Sequence, residues 1–450
     1  VGPRAQTYDG RMQQTRAPLA RLAEVVEARS LRAWLTAPVD AAGLVAFRVA
    51  FGVLMVGQSI KFLRSAHEHW LAPRVLFPYE GFEWVRPWPG VGLHLHCALM
   101  GFAALGVAAG VRARACAAAF GALFAYTVLL DQTHYNNHYY LLVLLSGLLT
   151  VVASTRGAAP RWHVLLLQAQ LLLVYAYAGV AKLNPDWLAG EPLRHWLGGR
   201  AEGSLAEPLL RAAWTPLAIS WAGAAFDLSI APLLVWRRTR SLALAAASAF
   251  HLTNAFLFDI GVFPWLMLAS AALFLPPEVV RRLVRVPAPG PLPVVSRRRE
   301  TACLVAAGLY LLVQAALPLR HWLYPGDVAW SEEGHRFAWR MKLRDKQVDL
   351  SMVARDAQGR EWPIDLDRWV TPRQRAEASS RPLLIWQLAR RVREDLEAMR
   401  GEQLEVFVRA RGRLNFRPRE QDLIDPRVDL SRAPYGAFEA APWIVALKDE

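Results

Sequence analysis

The sequence predicts a mainly α polytopic membrane protein, a helical bundle of about nine transmembrane helices over residues 1–319, followed by a small α+β extracytoplasmic domain over 320–450. Three observations predict it. Hydrophobic residues make up 54% of the 450-residue chain, with 18 tryptophans, and the charged residues gather between apolar stretches instead of spreading evenly. The basic excess is confined to one part: residues 1–319 hold 28 Lys and Arg against 16 Asp and Glu, whereas 320–450 hold 24 against 22. Near His321 the apolar runs give way to short alternating segments separated by turn signals.

Runs long enough for a membrane helix, about 17–25 residues, lie near 42–59, 91–111, 115–131, 138–154, 163–181, 214–236, 241–258, 260–276 and 302–318. The first forty residues are polar, arginine-studded and without a secretory leader pattern. Orientation follows from the arginines. With a cytoplasmic N-terminus, one side receives Arg4 to Arg32, Arg112 and Arg114, Arg156 and Arg161, Arg237, Arg238 and Arg240, and Arg281 to Arg299. The opposite turns at Asp131–Asn137 and Asp259 carry neither Lys nor Arg. This is the positive-inside pattern, and it accounts for a net charge of +14 without any nucleic acid. Nine spans then place the C-terminal domain outside the cytoplasm.

Cys97, Cys116 and Cys303 all fall in predicted spans and form no disulfide framework or zinc pattern. VPAPGPLPVVSRRRE, at 286–300, reads as a Pro-rich linker before the last span. In the C-terminal part, FAWRMKLRD and VDLSMVARD read as strands, DAQGREWPIDL contains a Gly turn, and LEVFVRARGRLNF returns to strand. Residues 371–399 carry a helical pattern with Leu384, Leu388, Val392 and Leu396 on one face.

Polar residues inside the apolar runs mark candidate chemistry. Lys182, one of five lysines against forty-seven arginines, ends the run LLLQAQLLLVYAYAGVAKLNPDW. Desolvation can strip a lysine of its charge, as it cannot for arginine, so Lys182 is a candidate base, against the ordinary alternative of a snorkelling side chain. LDQTHYNNHYYLLVLL carries Asn136, Asn137 and His138 into the fourth span, where such groups are costly unless paired or lining a site. Helix capping by Asn136 is the bland alternative. His251 and Asn254, in AAASAFHLTNAFLF, share one helical face. Topology puts His138, Lys182 and His251 toward the same extracytoplasmic side.

Taken together, LDQTHYNNHYYL, AGVAKLNPDWL followed by RHWL, FHLTNAFLFDIGVFPWLMLAS and LIDPRVDL closely resemble the vitamin K-dependent γ-glutamyl carboxylase family, in family order from the first span to the end of the chain. The resemblance implies an enzyme that oxidises a reduced naphthoquinone (menaquinol or phylloquinol type) with O2 to the 2,3-epoxide and uses that energy to carboxylate a peptide glutamate with CO2. It implies that Lys182 takes the first proton from the hydroquinone, and that His138 and Asn137 act beside the quinone. Asn136, His251 and Asn254 would contact the cofactor. Glutamate recognition calls for cations, for which Arg194, His195, Arg340 and Lys342 are the candidates. No metal is implied. Partners are then the quinone, a glutamate-containing peptide or protein and the lipid bilayer. The arginine bias suggests a GC-rich bacterial source, hence an inner-membrane location and menaquinol. The family's animal members carry a disulfide joining membrane and luminal parts, for which these cysteines offer no counterpart.

Three alternatives stay open on sequence: a quinol epoxidase that no longer carboxylates, a membrane di-iron oxygenase and a non-catalytic membrane scaffold. His134 and His138 make H-x-x-x-H, with His67, His69, His94 and His96 as further ligand candidates, but no adjacent His pair occurs. A scaffold has no need of a titratable amine at Lys182. The sequence carries no dimerisation signal that sets an oligomeric state.

Overall fold

The computed structural model describes residues 30–203, 205–436 and 438–448, so the N-terminal arginines before Arg32 lie outside the described residues. Each of the nine predicted apolar segments is helical: α1 (Ala42–Leu71), α2 (Gly92–Ala109), α3 (Ala113–Leu129), α4 (Asn137–Val152), α5 (Arg161–Ala181), α6 (Thr215–Val235), α7 (Arg240–Leu257), α8 (Phe263–Leu273) and α9 (Arg297–Leu323). Five of them, rather than nine, are long and apolar enough to cross a membrane, namely α1, α2, α5, α6 and α9. The reason is length and polarity. At about 1.5 Å per residue α8 covers only about half of a ~30 Å hydrocarbon core, and α7 carries Arg240, Ser241, Ser248, His251 and Asn254.

Helices α1 to α8 pack each against the next, and α8 returns to α1, so the eight close a ring, with α9 lying outside on α5. Small residues set the closest approaches. A Cβ on Gly52 of α1 would sit 2.5 Å from the backbone N of Ala108 in α2, so only glycine lets these backbones meet. Buried Arg48 of α1 donates to the terminal carbonyls of α2, at Val107 and at Ala108 (2.8 Å), and to Ser154 O (3.2 Å) just past α4. A cation thus serves two helix C-termini whose carbonyls lack intrahelical donors. At the same end, β1 (Pro38–Asp40) pairs antiparallel with β2 (Ala158–Pro160), and Arg281 binds Asp40 at 3.0 Å.

The C-terminal domain packs at the opposite end. Its antiparallel sheet has the order β4-β3-β5-β6, with β3 (Lys346–Asp356), β4 (Glu361–Pro363), β5 (Leu404–Leu414) and β6 (Gln421–Asp422). β3 and β5 pair along their full length, and alternate residues Val406, Val408 and Ala410 face inward with Leu350 and Met352. They pack on Leu384, Leu388 and Val392 of α11 (Pro382–Arg400). Two sequence expectations change here. The 371–399 helix is two helices, because Pro382 cannot continue the preceding turn and instead starts α11 after α10 (Pro372–Ser379). FAWRMKLRD is not a strand: Phe337, Trp339 and Lys342 have φ of 66°, 56° and 51°, left-handed conformations that no ladder accepts.

Candidate active site

A cavity of about 990 Å³ opens inside the helix ring at the end covered by the C-terminal domain, with lining residues from α1 and α3 to α8 and from the loop 331–344. Its floor is apolar and aromatic, including Val143, Val174, Phe250, Phe263 and Met267.

The start of α4 supplies one wall. Asn136 is the N-cap: its Oδ1 accepts from Tyr139 N (2.8 Å) and its Nδ2 donates to His134 O (3.3 Å). Capping is therefore what its side chain does here, although it also borders the cavity. Asn137 Nδ2 donates to Arg340 O at 3.2 Å, and its Oδ1 accepts from the Tyr135 hydroxyl at 3.3 Å. Tyr135 in turn accepts from Phe337 N at 2.7 Å. His138 borders the cavity between the rings of Tyr139 and Phe263, at centroid distances of 4.9 and 6.1 Å.

Lys182 is the C-cap of α5 and is buried in the cavity wall. Its ammonium bonds the carboxylate of Asp227 on α6 and lies 5.5 Å over the ring of Trp187. Trp187 is held by its Nε1, which donates to Ser220 O at 2.9 Å. The sequence reading did not single out Asp227. Its signal was present, a lone carboxylate in the apolar run SWAGAAFDLSIAPLL. On α7, His251 Nε2 bonds the Tyr175 hydroxyl at 2.7 Å, while its buried Nδ1 has no partner. Asn254 also lines the cavity.

Of the four candidate substrate cations, two reach the cavity. Arg340 and Lys342 line it, with Lys342 Nζ 5.4 Å over the Trp196 ring. Arg194 and His195 do not line it. Arg194 Nε donates to Glu191 at 2.8 Å on the surface, and His195 stacks on Phe416 with ring centroids 3.7 Å apart. They follow Lys182 closely in sequence, but the short helix Leu193–Ala201 turns their side chains outward, to Glu191 and the C-terminal domain.

The turn between α3 and α4 is clamped by the C-terminal domain. Arg373 donates to His134 Nε2 at 3.0 Å, Gln374 Nε2 to Asp131 Oδ2 at 3.0 Å, and Arg381 to Gln132 O at 3.2 Å. Burial, then the Arg373 guanidinium, pushes His134 down to about 2, so the neutral ring accepts the hydrogen bond from Arg373. Burial pushes Asp131 up to about 6 against its hydrogen bonds from Thr133 and Gln374. The loop that carries Arg340 and Lys342 is anchored at Glu332, whose carboxylate binds Arg344 at 2.6 Å and Lys346 at 2.8 Å. Among the described residues, no three His, Cys, Asp or Glu side chains converge as a metal site.

An apolar helix ring with a largely apolar cavity, bordered by a few polar side chains, at its covered end defines an integral membrane protein whose site is shared between bundle and domain. Residues 36–278 match the HTTM domain family, and residues 299–450 match the family described as the vitamin K-dependent gamma-carboxylase lumenal domain. No solved structure matches the chain. The chain belongs to the vitamin K-dependent γ-glutamyl carboxylase family.

Proposed function

We propose that this protein is a vitamin K-dependent γ-glutamyl carboxylase that oxidises reduced vitamin K with O2 to the 2,3-epoxide and couples this to carboxylation of a peptide glutamate. The observation that carries the reading is the convergence of Asn137, His138, Lys182 and His251, from three helices, on one cavity in a chain that matches both parts of the family. The residues present fit a naphthohydroquinone. The walls are apolar and aromatic, and the buried His251 Nδ1 lacks a partner, which a head-group oxygen would supply.

Reduced vitamin K, when bound, supplies the electrons for O2 and, through its oxidation, a base stronger than any side chain. Lys182 Nζ accepts the hydroxyl proton that starts the reaction. Asn137 keeps one of its two amide protons after bonding Arg340 O, and with His138 it offers hydrogen bonds to head-group oxygens. His251 and Asn254 orient the head group from α7, with Asn136 fixing the α4 start. The apolar wall keeps out water that would quench strong base, and this strengthens the remaining polar contacts. Arg340 and Lys342 hold the glutamate carboxylate at the end nearest the C-terminal domain, and CO2 is the second substrate there. No metal takes part. Against the di-iron alternative stands His134, whose Nε2 already accepts from a guanidinium.

The functional division falls at 319/320, and the chain crosses the bilayer at each of the nine apolar segments, α8 forming only part of its crossing. The N-terminus is cytoplasmic and the C-terminal domain outside, in a bacterial inner membrane that supplies menaquinol. Supporting this, the arginine-rich ends and the clamped turn 131–137 lie at opposite ends of the ring.

The test is turnover by the purified, reconstituted protein: reduced vitamin K plus O2 should give epoxide, and labelled CO2 should enter a glutamate peptide. Lys182→Ala and Lys182→Arg should both abolish epoxide formation, since a guanidinium does not give up its proton near neutral pH. His138→Ala should lose about 10²–10³-fold. Wild-type epoxidation by Lys182→Arg would sink the mechanism.

A further inference from the structure

Asp227 is the only fully buried carboxylate on the nine apolar helices among the described residues, and it bonds the one lysine of the cavity wall on α5. Side-chain exposures are 4% for Asp227 and 10% for Lys182, so what little of the pair is open faces the cavity. A carboxylate in such a place is costly unless it is used. A backbone carbonyl or an amide would hold an ammonium equally well by hydrogen bonding, but neither can take its proton. A carboxylate can.

We propose that Asp227 is the proton partner of Lys182, so that the base at this site is the carboxylate–amine pair and not the lysine alone, an inference that rests on the function proposed above. Lys182 rests as an ammonium, which has no lone pair. Within the Nζ–H···Oδ2 hydrogen bond one proton passes to Asp227, breaking an N–H bond and forming an O–H bond. The result is a neutral amine beside a neutral acid, with no separated charges to desolvate. The amine then takes the hydroxyl proton of the bound quinol. That O–H bond breaks and a new N–H bond forms, so the pair ends as ammonium plus carboxylic acid, opposite the negative charge left on the donor oxygen. The base is the pair, and its proton uptake belongs to both groups.

Of the other charged or titratable groups that line the cavity, Tyr175 on α5 and His251 on α7 are bonded to each other, and His138 on α4, Lys61 on α1, Asp259 after α7 and the charged residues of the loop 331–344 stand on the remaining walls. None of them has a direct bond to Asp227 among the described residues, so its proton is shared with Lys182 alone. Asp227 acts through Lys182 and is a positioning residue in this sense.

The experiment reads the amine directly. The full-length protein in lipid nanodiscs is reductively methylated with formaldehyde and a borane from pH 6 to 9, and Lys182 is followed by mass spectrometry against the exposed Lys448. In the wild type, Lys182 held against the carboxylate should label weakly at pH 8 beside the exposed Lys448. In Asp227→Asn, which keeps shape and hydrogen bond, the lone desolvated lysine should lose its proton, and labelling at pH 8 should rise at least about tenfold. Asp227→Glu should restore the wild-type rate. The pH profile of epoxidation should change in Asp227→Asn and return in Asp227→Glu. Equal labelling of Lys182 in the wild type and Asp227→Asn overturns the proposal. The parent reading fails separately: epoxidation by Lys182→Arg refutes it whatever the labelling shows, while an unchanged Asp227→Asn beside an inactive Lys182→Arg removes only the proton partner.

Discussion

Gly179 offers a steric test of how the site is assembled. It lies in α5 one turn before Lys182, and a Cβ there would sit 2.9 Å from the backbone N of Leu228 in α6, the residue after Asp227, and equally close to Leu228 Cγ and Cδ2. The side chain can rotate away, but the backbone cannot. Relief to an ordinary contact near 3.5 Å demands roughly half an ångström of separation between α5 and α6, and overpacking of this kind costs about 1–3 kcal/mol. The same movement draws Lys182 away from Asp227. Since about 1 Å of misplacement can cost on the order of 10² in rate, Gly179→Ala should lower epoxide formation by about tenfold and also lower the thermal midpoint in detergent. Gly147→Ala in α4 is the control: its Cβ meets nothing within 4 Å, and alanine favours a helix by about 0.8–1 kcal/mol. Gly179→Ala with wild-type turnover and midpoint would refute the argument that close α5–α6 packing builds the pair.

Two further outcomes concern the C-terminal domain. Glu332→Gln leaves Arg344 and Lys346 buried without their carboxylate, so it should destabilise by about 3–5 kcal/mol in a denaturant titration of the full-length protein; a loss below about 1 kcal/mol would show that water or another group takes its place. Asp131 gives a pH signature. Burial raises its folded value to about 6 from an ordinary ~3.9, so its contribution to stability is fully present below ~4 and is lost as pH rises through about 6, up to roughly 3 kcal/mol. Asp131→Asn, which still accepts from Thr133 N, should flatten the midpoint-versus-pH curve between pH 4.5 and 7; an unchanged slope would assign the dependence to another group.

The sequence and the structure part company where local pattern stops reporting on space. Apolar runs announce helices, so all nine segments appear, yet run length alone does not show which of them reach across a bilayer, and α8 falls well short. Alternation in FAWRMKLRD imitates a strand because nothing local reveals that Phe337, Trp339 and Lys342 take left-handed φ to bury Trp339 and aim the loop at the cavity. Pro382 did carry its signal, since proline at a first helical turn starts a helix. In the site, Asn137, His138, Lys182 and His251 were legible as polar residues in apolar surroundings, and Asp227 carried the same mark unread. Arg194 and His195 were misplaced by their nearness in sequence to Lys182, whereas Arg340 and Lys342 arrive from the far domain.

That arrival changes what the C-terminal domain is for. Asn137 bonds the backbone of Arg340, Tyr135 bonds the backbone of Phe337, and Arg373, Gln374 and Arg381 hold the turn that precedes the α4 start. The segment carrying the proposed glutamate cations and the segment carrying Asn137 and His138 are thus a single hydrogen-bonded unit, not two surfaces that meet when substrate binds. A carboxylate held by Arg340 lies on the same loop whose main chain orients Asn137. Under the proposed function this unit would fix substrate position against quinone position, as that reaction requires when a base generated at one molecule must reach a hydrogen on the other before water does.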